Sequence, residues 1–173
     1  MSSGKMFRST DLVALDHFLG ARALMTEILD GTVKERMKLI FQTIDSNMDF
    51  WRDDRCFAVA NANWKSYAAM IGFWLPHEDP APPVWIGVTL FVNPKTEDRS
   101  TVIAAFRDWR KKHQDWQEAA MDDPREWGWI CKGRAIQTFL AADDHVRAVE
   151  AYLLQLLEEV AEFRNTSGKG IVA

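Results

Sequence analysis

The side chains best suited to metal ligation, or to proton transfer near neutral pH, are four histidines: His17, His77, His113 and His145. They are dispersed, and none stands in the His-Glu-x-x-His spacing that sets two imidazoles on one helix face. The densest polar string is His77-Glu78-Asp79. Adjacent residues seldom all point at one ion, so we expect a solvated loop there and no metal site. His113 lies between Trp109 and Trp116 in an apolar stripe and reads as a half-buried structural histidine rather than a catalytic base. Paired carboxylates occur at Asp53-Asp54, Asp122-Asp123 and Asp143-Asp144, each at an expected helix boundary, where capping accounts for them. The chain has no Gly-x-Ser-x-Gly, no phosphate-cradling Gly-x-x-x-x-Gly-Lys and no dinucleotide fingerprint. No cofactor is expected, and the reading leans away from an enzyme.

Binding chemistry has more to work with. Trp64-Lys65-Ser66-Tyr67 leads into Ile71-Gly72-Phe73, and Trp85-Ile86-Gly87 is a candidate neighbour across a sheet. These strings put large rings, a cation and hydroxyls at a strand entrance, so Trp64, Lys65, Tyr67, Trp74, Trp85 and His113 are the expected ligand or partner surface. Glycine within a strand has several readings: close approach of another backbone or a ligand, a bulge, or room for a large neighbouring indole. A second set, Lys65, Arg107, Lys111, Lys132 and Arg134, is the candidate nucleic-acid contact, since cations interleaved with tryptophan can follow a backbone and stack its bases. A helical wheel weakens this, because Trp109 and Trp116 fall on the apolar side and Arg107 and Lys111 on the opposite one.

These residues must be carried by helices and strands that the hydrophobic period reveals. Residues 10–30 hold two short apolar-periodic pieces, each followed by a glycine stop, Gly20 and Gly31. Thr32 to Glu35 matches a capping box and opens a helix with the stripe Val33, Met37, Ile40/Phe41, Ile44, Met48 and Trp51. From residue 55 the period becomes two. Cys56 to Ala60, Tyr67 to Leu75 and Val84 to Val92 read as strands of an antiparallel meander, with Met70, Trp74, Trp85 and Phe91 opposite the main apolar face, so that both faces look covered. Helical spacing returns over 98–119, a fourth strand runs from about Trp127 to Phe139, and a last helix starts at Asp143 or Asp144. The expected fold is α+β: a central antiparallel sheet of about four strands, with N-terminal helices, a crossover helix and a C-terminal helix packed on it.

A chain of 173 residues with 47% hydrophobic and 27% charged side chains suits one ordinary core, so a single domain over 1–173 is expected. Its parts would be a helical portion at about 10–52, a sheet-containing portion at about 55–163 and a frayed tail over 165–173. The formal charge of −4 argues against a surface built wholly for nucleic acid. No apolar run spans a bilayer and no secretory signal opens the chain, so a cytoplasmic protein with two reduced thiols, Cys56 and Cys131, is expected. Eight tryptophans must be housed in a core or on a binding surface.

Phe50-Trp51 at a helix end, the string from Trp64 to Phe73, Trp85-Ile86-Gly87, an aromatic-spaced helix, Trp127/Trp129 and an acidic helix start together resemble an accessory domain of undescribed role. That domain is C-terminal to the PD-(D/E)XK-type catalytic domain of bacterial nuclease-like proteins. The likeness covers about 35–163 and implies a defence or restriction context. It carries no catalytic residue, because the Glu/Asp-x-Lys that would hold a divalent ion beside a phosphate does not occur. The leading expectation is therefore a non-enzymatic protein-interaction module with an aromatic-rich surface or groove and an unidentified protein partner, homodimerisation being open and no membrane involved. The alternatives are a nucleic-acid accessory domain and a small enzyme with a Trp/Tyr/His-lined pocket.

Overall fold

The computed structural model of the chain describes residues 9–41, 44–45, 56–61, 67–74, 84–119 and 121–166. Trp64, Lys65, the His77-Glu78-Asp79 string, Met48, Phe50-Trp51 and the expected tail from 167 onward lie outside the described residues.

The first described element is helix α1, Ser9–Ile28, which continues through Gly20 instead of stopping there. An interior glycine costs only about 1 kcal/mol against alanine, less than is needed to end a helix. The break comes at Gly31, whose backbone (φ −84°, ψ −126°) leaves the helical region at a kink within Leu29–Val33. Helix α2, Lys34–Phe41, then buries Met37 and Ile40 beside Val33, while the Glu35 carboxylate accepts from the Lys38 ammonium at 2.5 Å. The expected helix does not reach its predicted length: Ile44, assigned to its stripe, sits in a two-residue strand, β1, Ile44–Asp45.

Five further strands follow: β2 Cys56–Asn61, β3 Ala68–Trp74, β4 Trp85–Val92, β5 Gln117–Ala119 and β6 Gly128–Ala135. Helix α3, Arg99–Lys112, joins β4 to β5. A 3₁₀ turn, Ile136–Phe139, leads from β6 to α4, His145–Thr166, whose first turn is capped by Asp144 Oδ1 accepting from the Arg147 N–H at 2.9 Å. All neighbours pair antiparallel in the order β1-β2-β3-β4-β6-β5. The α+β class and the β2-β3-β4 meander are as the periodicity implies. The sheet, however, has six strands rather than about four, because two short edge strands, β1 and β5, carry no period-two signal of their own.

The helical spacing read over 98–119 also ends early. At His113 the backbone turns extended (φ −123°, ψ 79°), and Trp116, 1% exposed, folds back to meet Trp109 edge-on at 6.3 Å. A stripe position reached by a turn looks the same in sequence as one reached by a helix.

Helices α2, α3 and α4 pack on one face of the sheet. There Ala69, Ile71 and Phe73 of β3 and Ile86, Val88, Leu90 and Val92 of β4 meet Val102 and Phe106 of α3 and Leu153, Leu156, Leu157, Val160 and Phe163 of α4, all at most 2% exposed. Tyr67 stands at the centre, edge-on to Phe41, Phe106 and Phe163 at 6.3, 6.2 and 5.4 Å.

Candidate binding site

Strand alternation sends every second side chain to the other face, and the register arranges them in rows across the sheet. Trp74, Trp85 and Ala135 are cross-strand neighbours in one row; Ala58, Gly72, Gly87 and Gly133 form the next. Met70, Thr89 and Cys131 follow, then Ala68, Phe91 and Trp129. Two aromatic rows about 20 Å apart along β4 therefore bank a floor of small residues, at roughly 3.4 Å per residue. Across β3, β4, β5 and β6, no charged residue falls on this face.

The glycine row has a direct steric cause. A Cβ on Gly133 would lie 2.3 Å from Cε2 and Cζ2 of Trp85, and one on Gly87 would lie 2.7 Å from its Cη2. The six-membered ring of Trp85 thus occupies the space above two neighbouring strands that side chains would otherwise fill. Trp74 meets it edge-on, with centroids 4.7 Å apart and planes at 73°. At the other bank Phe91 and Trp127 meet at 5.6 Å and 63°. Met70, Trp74, Trp85, Thr89, Phe91, Trp127, Trp129 and Cys131 line a cavity of about 540 Å³. The Cys131 thiol is free, and burial pushes its pKa up to about 11, so it is protonated at neutral pH and a poor nucleophile.

The expected ligand surface is divided by this architecture. Trp74 and Trp85 come together in the trough. Tyr67 does not join them: it is 3% exposed on the helix-covered face, and burial raises its hydroxyl pKa despite the opposing influence of Arg164. His113 caps the C-terminal end of α3, stacked on Trp109 at 3.7 Å and 15°. Trp64 and Lys65 fall outside the described residues. Sequence reasoning did not place Met70, Thr89, Phe91, Trp127, Trp129 and Cys131 in a site, although the off-face positions of Met70, Trp74, Trp85 and Phe91 were the available signal. What was missing was the β4–β6 register, which brings Trp129 and Cys131 alongside.

The candidate nucleic-acid cations among the described residues are engaged elsewhere. Lys132 Nζ, on the helix-covered face, lies 2.7 and 2.9 Å from the two Glu159 oxygens and 2.5 Å from Asp115, which uses all three of its protons. Glu159 also accepts from the Trp116 indole N–H at 3.0 Å. Arg134 lies 4.8 Å over the Tyr152 ring, Arg107 bonds Asp122, and Lys111 bonds Asp108 at 2.8 Å. Among the described residues no three His, Cys, Asp or Glu side chains gather in a way that could hold a metal ion. No described helix is long and apolar enough to cross a membrane.

Comparisons with protein families, with curated proteins and with solved structures find no match, and so add nothing to the likeness to nuclease-associated domains.

Proposed function

We propose that the protein is a non-enzymatic binding module whose site is the aromatic trough and whose occupant is a small apolar group, either a free ligand or one side chain of a partner. The observation that carries this is a ring-lined cavity of about 540 Å³ on the sheet face opposite the helices. Ligand pockets run to roughly 300–1,000 Å³, mostly apolar with few polar groups. Here Thr89 and the Cys131 thiol are the polar members of the lining besides the indole N–H groups.

Size decides between a small group and a flat protein interface. A stable interface uses roughly 20–30 residues a side, whereas eight described residues line this cavity and all but Trp127 are at least half-buried already. Burying 150–250 Å² of an aromatic ring at about 25 cal/mol per Å² contributes roughly 4–6 kcal/mol, and ring–ring geometry adds about 0.5–1.5 kcal/mol per pair. After ordering costs, a dissociation constant on the order of 10–100 µM is expected.

N-phenyl-1-naphthylamine, a neutral probe that fluoresces when shielded from water, tests the reading. One equivalent should bind in that range, and Trp129→Ser, read beside its circular dichroism, should weaken binding about tenfold. No binding to a folded wild-type protein would refute the proposal.

A further inference from the structure

Resting on the reading of the trough as a ligand site, we infer that its occupant is a neutral planar ring system, stacked in the corner made by Trp74 and Trp85, rather than an acyl chain, an ammonium ion or a second copy of the chain.

Three observations support this choice. The first is charge: β3 to β6 place no charged residue on this face, and Lys132 and Arg134, the two cations of β6, stand on the opposite one. Among the described residues a carboxylate headgroup would find no cation on this face, and a primary ammonium would find no carboxylate and few acceptors for its three protons. The second is geometry. Trp85 is held down by the glycine pair Gly87 and Gly133, and Trp74 stands nearly perpendicular to it at 4.7 Å. Aromatic pairs favour offset-stacked and edge-to-face arrangements, and this corner provides both to one incoming ring, a benefit a flexible chain cannot use. The third is extent: the half-buried lining leaves far too little surface for the roughly 800 Å² that each partner of a stable dimer contributes.

The test is displacement of N-phenyl-1-naphthylamine by naphthalene-2-methanol, 1-decanol, decanoate and tetraethylammonium, on wild type, Trp85→Leu and Trp85→Phe. Naphthalene-2-methanol should displace the probe at about tenfold lower concentration than the other three. Trp85→Leu should erase that preference, so that naphthalene-2-methanol and 1-decanol displace the probe at similar concentrations, and Trp85→Phe should keep most of it. Equal displacement by decanol or decanoate on wild type would overturn the ring assignment while leaving the trough as an apolar site. Stronger displacement by tetraethylammonium would overturn it in favour of a cation cage. Failure of the probe itself to bind would instead remove the binding-site reading on which the inference rests. Retention of the ring preference in Trp85→Leu would place the ring elsewhere and overturn the corner.

Discussion

At the scale of single residues, the glycines of the sheet are defined by what surrounds them. Gly133 has room for neither a Cβ nor a tilt: Trp85 ring atoms stand at 2.3 Å and the Ile86 carbonyl oxygen at 2.5 Å from where a Cβ would be. The carbonyl belongs to the β4–β6 ladder and cannot yield as a flexible side chain does. Gly133→Ala should therefore destabilise the fold by about 1–3 kcal/mol, the usual cost of overpacking, seen as a lower urea midpoint with unchanged slope. The variant should also move the Trp85 emission, because the added methyl displaces the ring. A substitution without effect on either would mean that the indole and the glycines are not mutually fitted. Of the readings open for Gly87, the packing shows close approach of another backbone, with Lys132 O at 2.3 Å and Gly133 Cα at 2.7 Å from where a Cβ would be, together with room for the Trp85 indole at 2.7 Å.

At the scale of elements, the tie between β6, α4 and the turn before β5 is a partly buried charge cluster. Hydrogen bonding from Lys132 holds the Asp115 carboxyl below its ordinary value of 3.8, against the small upward push of burial. Burial works against the Lys132 charge, yet its bonds to Asp115 and Glu159 outweigh that and raise its pKa above 10.5. The signs follow from linkage. The Asp115 contribution is fully present above pH 3.8 and fades as the pH falls through its lowered value. The Lys132 contribution is fully present below pH 10.5 and fades as the pH rises through its raised value. Asp115 is largely exposed, so its share is small. Lys132→Met should leave Glu159 uncompensated and cost about 1–3 kcal/mol near neutral pH. Stability measured from pH 7 to pH 3 should then lose part of the acid-side decline that wild type shows. An identical pH profile in the two proteins would contradict the coupling.

At the scale of the whole molecule, the two faces of one sheet differ in chemistry: the helix-covered face carries the core and the charge cluster, and the other carries uncharged rings. The candidate nucleic-acid cations among the described residues are distributed among carboxylates and a ring on the first face and on α3, against a formal charge of −4. Binding to single- or double-stranded DNA or RNA should accordingly be weaker than about 10 µM at physiological salt, inside the non-specific range, in an anisotropy titration at two salt concentrations. Sub-micromolar binding that weakens steeply with salt and is lost in Arg107→Glu/Lys111→Glu would reverse the functional order proposed above.

Local periodicity was enough to read the α+β class, the three-strand meander, a cap at Asp143 or Asp144 and the broad apolar arc of α4, since each depends on neighbours within a turn or a strand. It was enough, too, to mark Met70, Trp74, Trp85 and Phe91 as lying off the core face. It set Tyr67 on one strand face with Ala69, Ile71 and Phe73, but it could not show that Ile44 and residues 117–119 are edge strands. Nor could it show that Trp116 returns to Trp109 through a turn. Above all, the trough exists only because β6 pairs with β4 across a long insertion, setting Gly133 beside Gly87 and Trp129 beside Phe91. Register between strands far apart in sequence is decided by the packing of the whole core, a long-range property that no local pattern encodes.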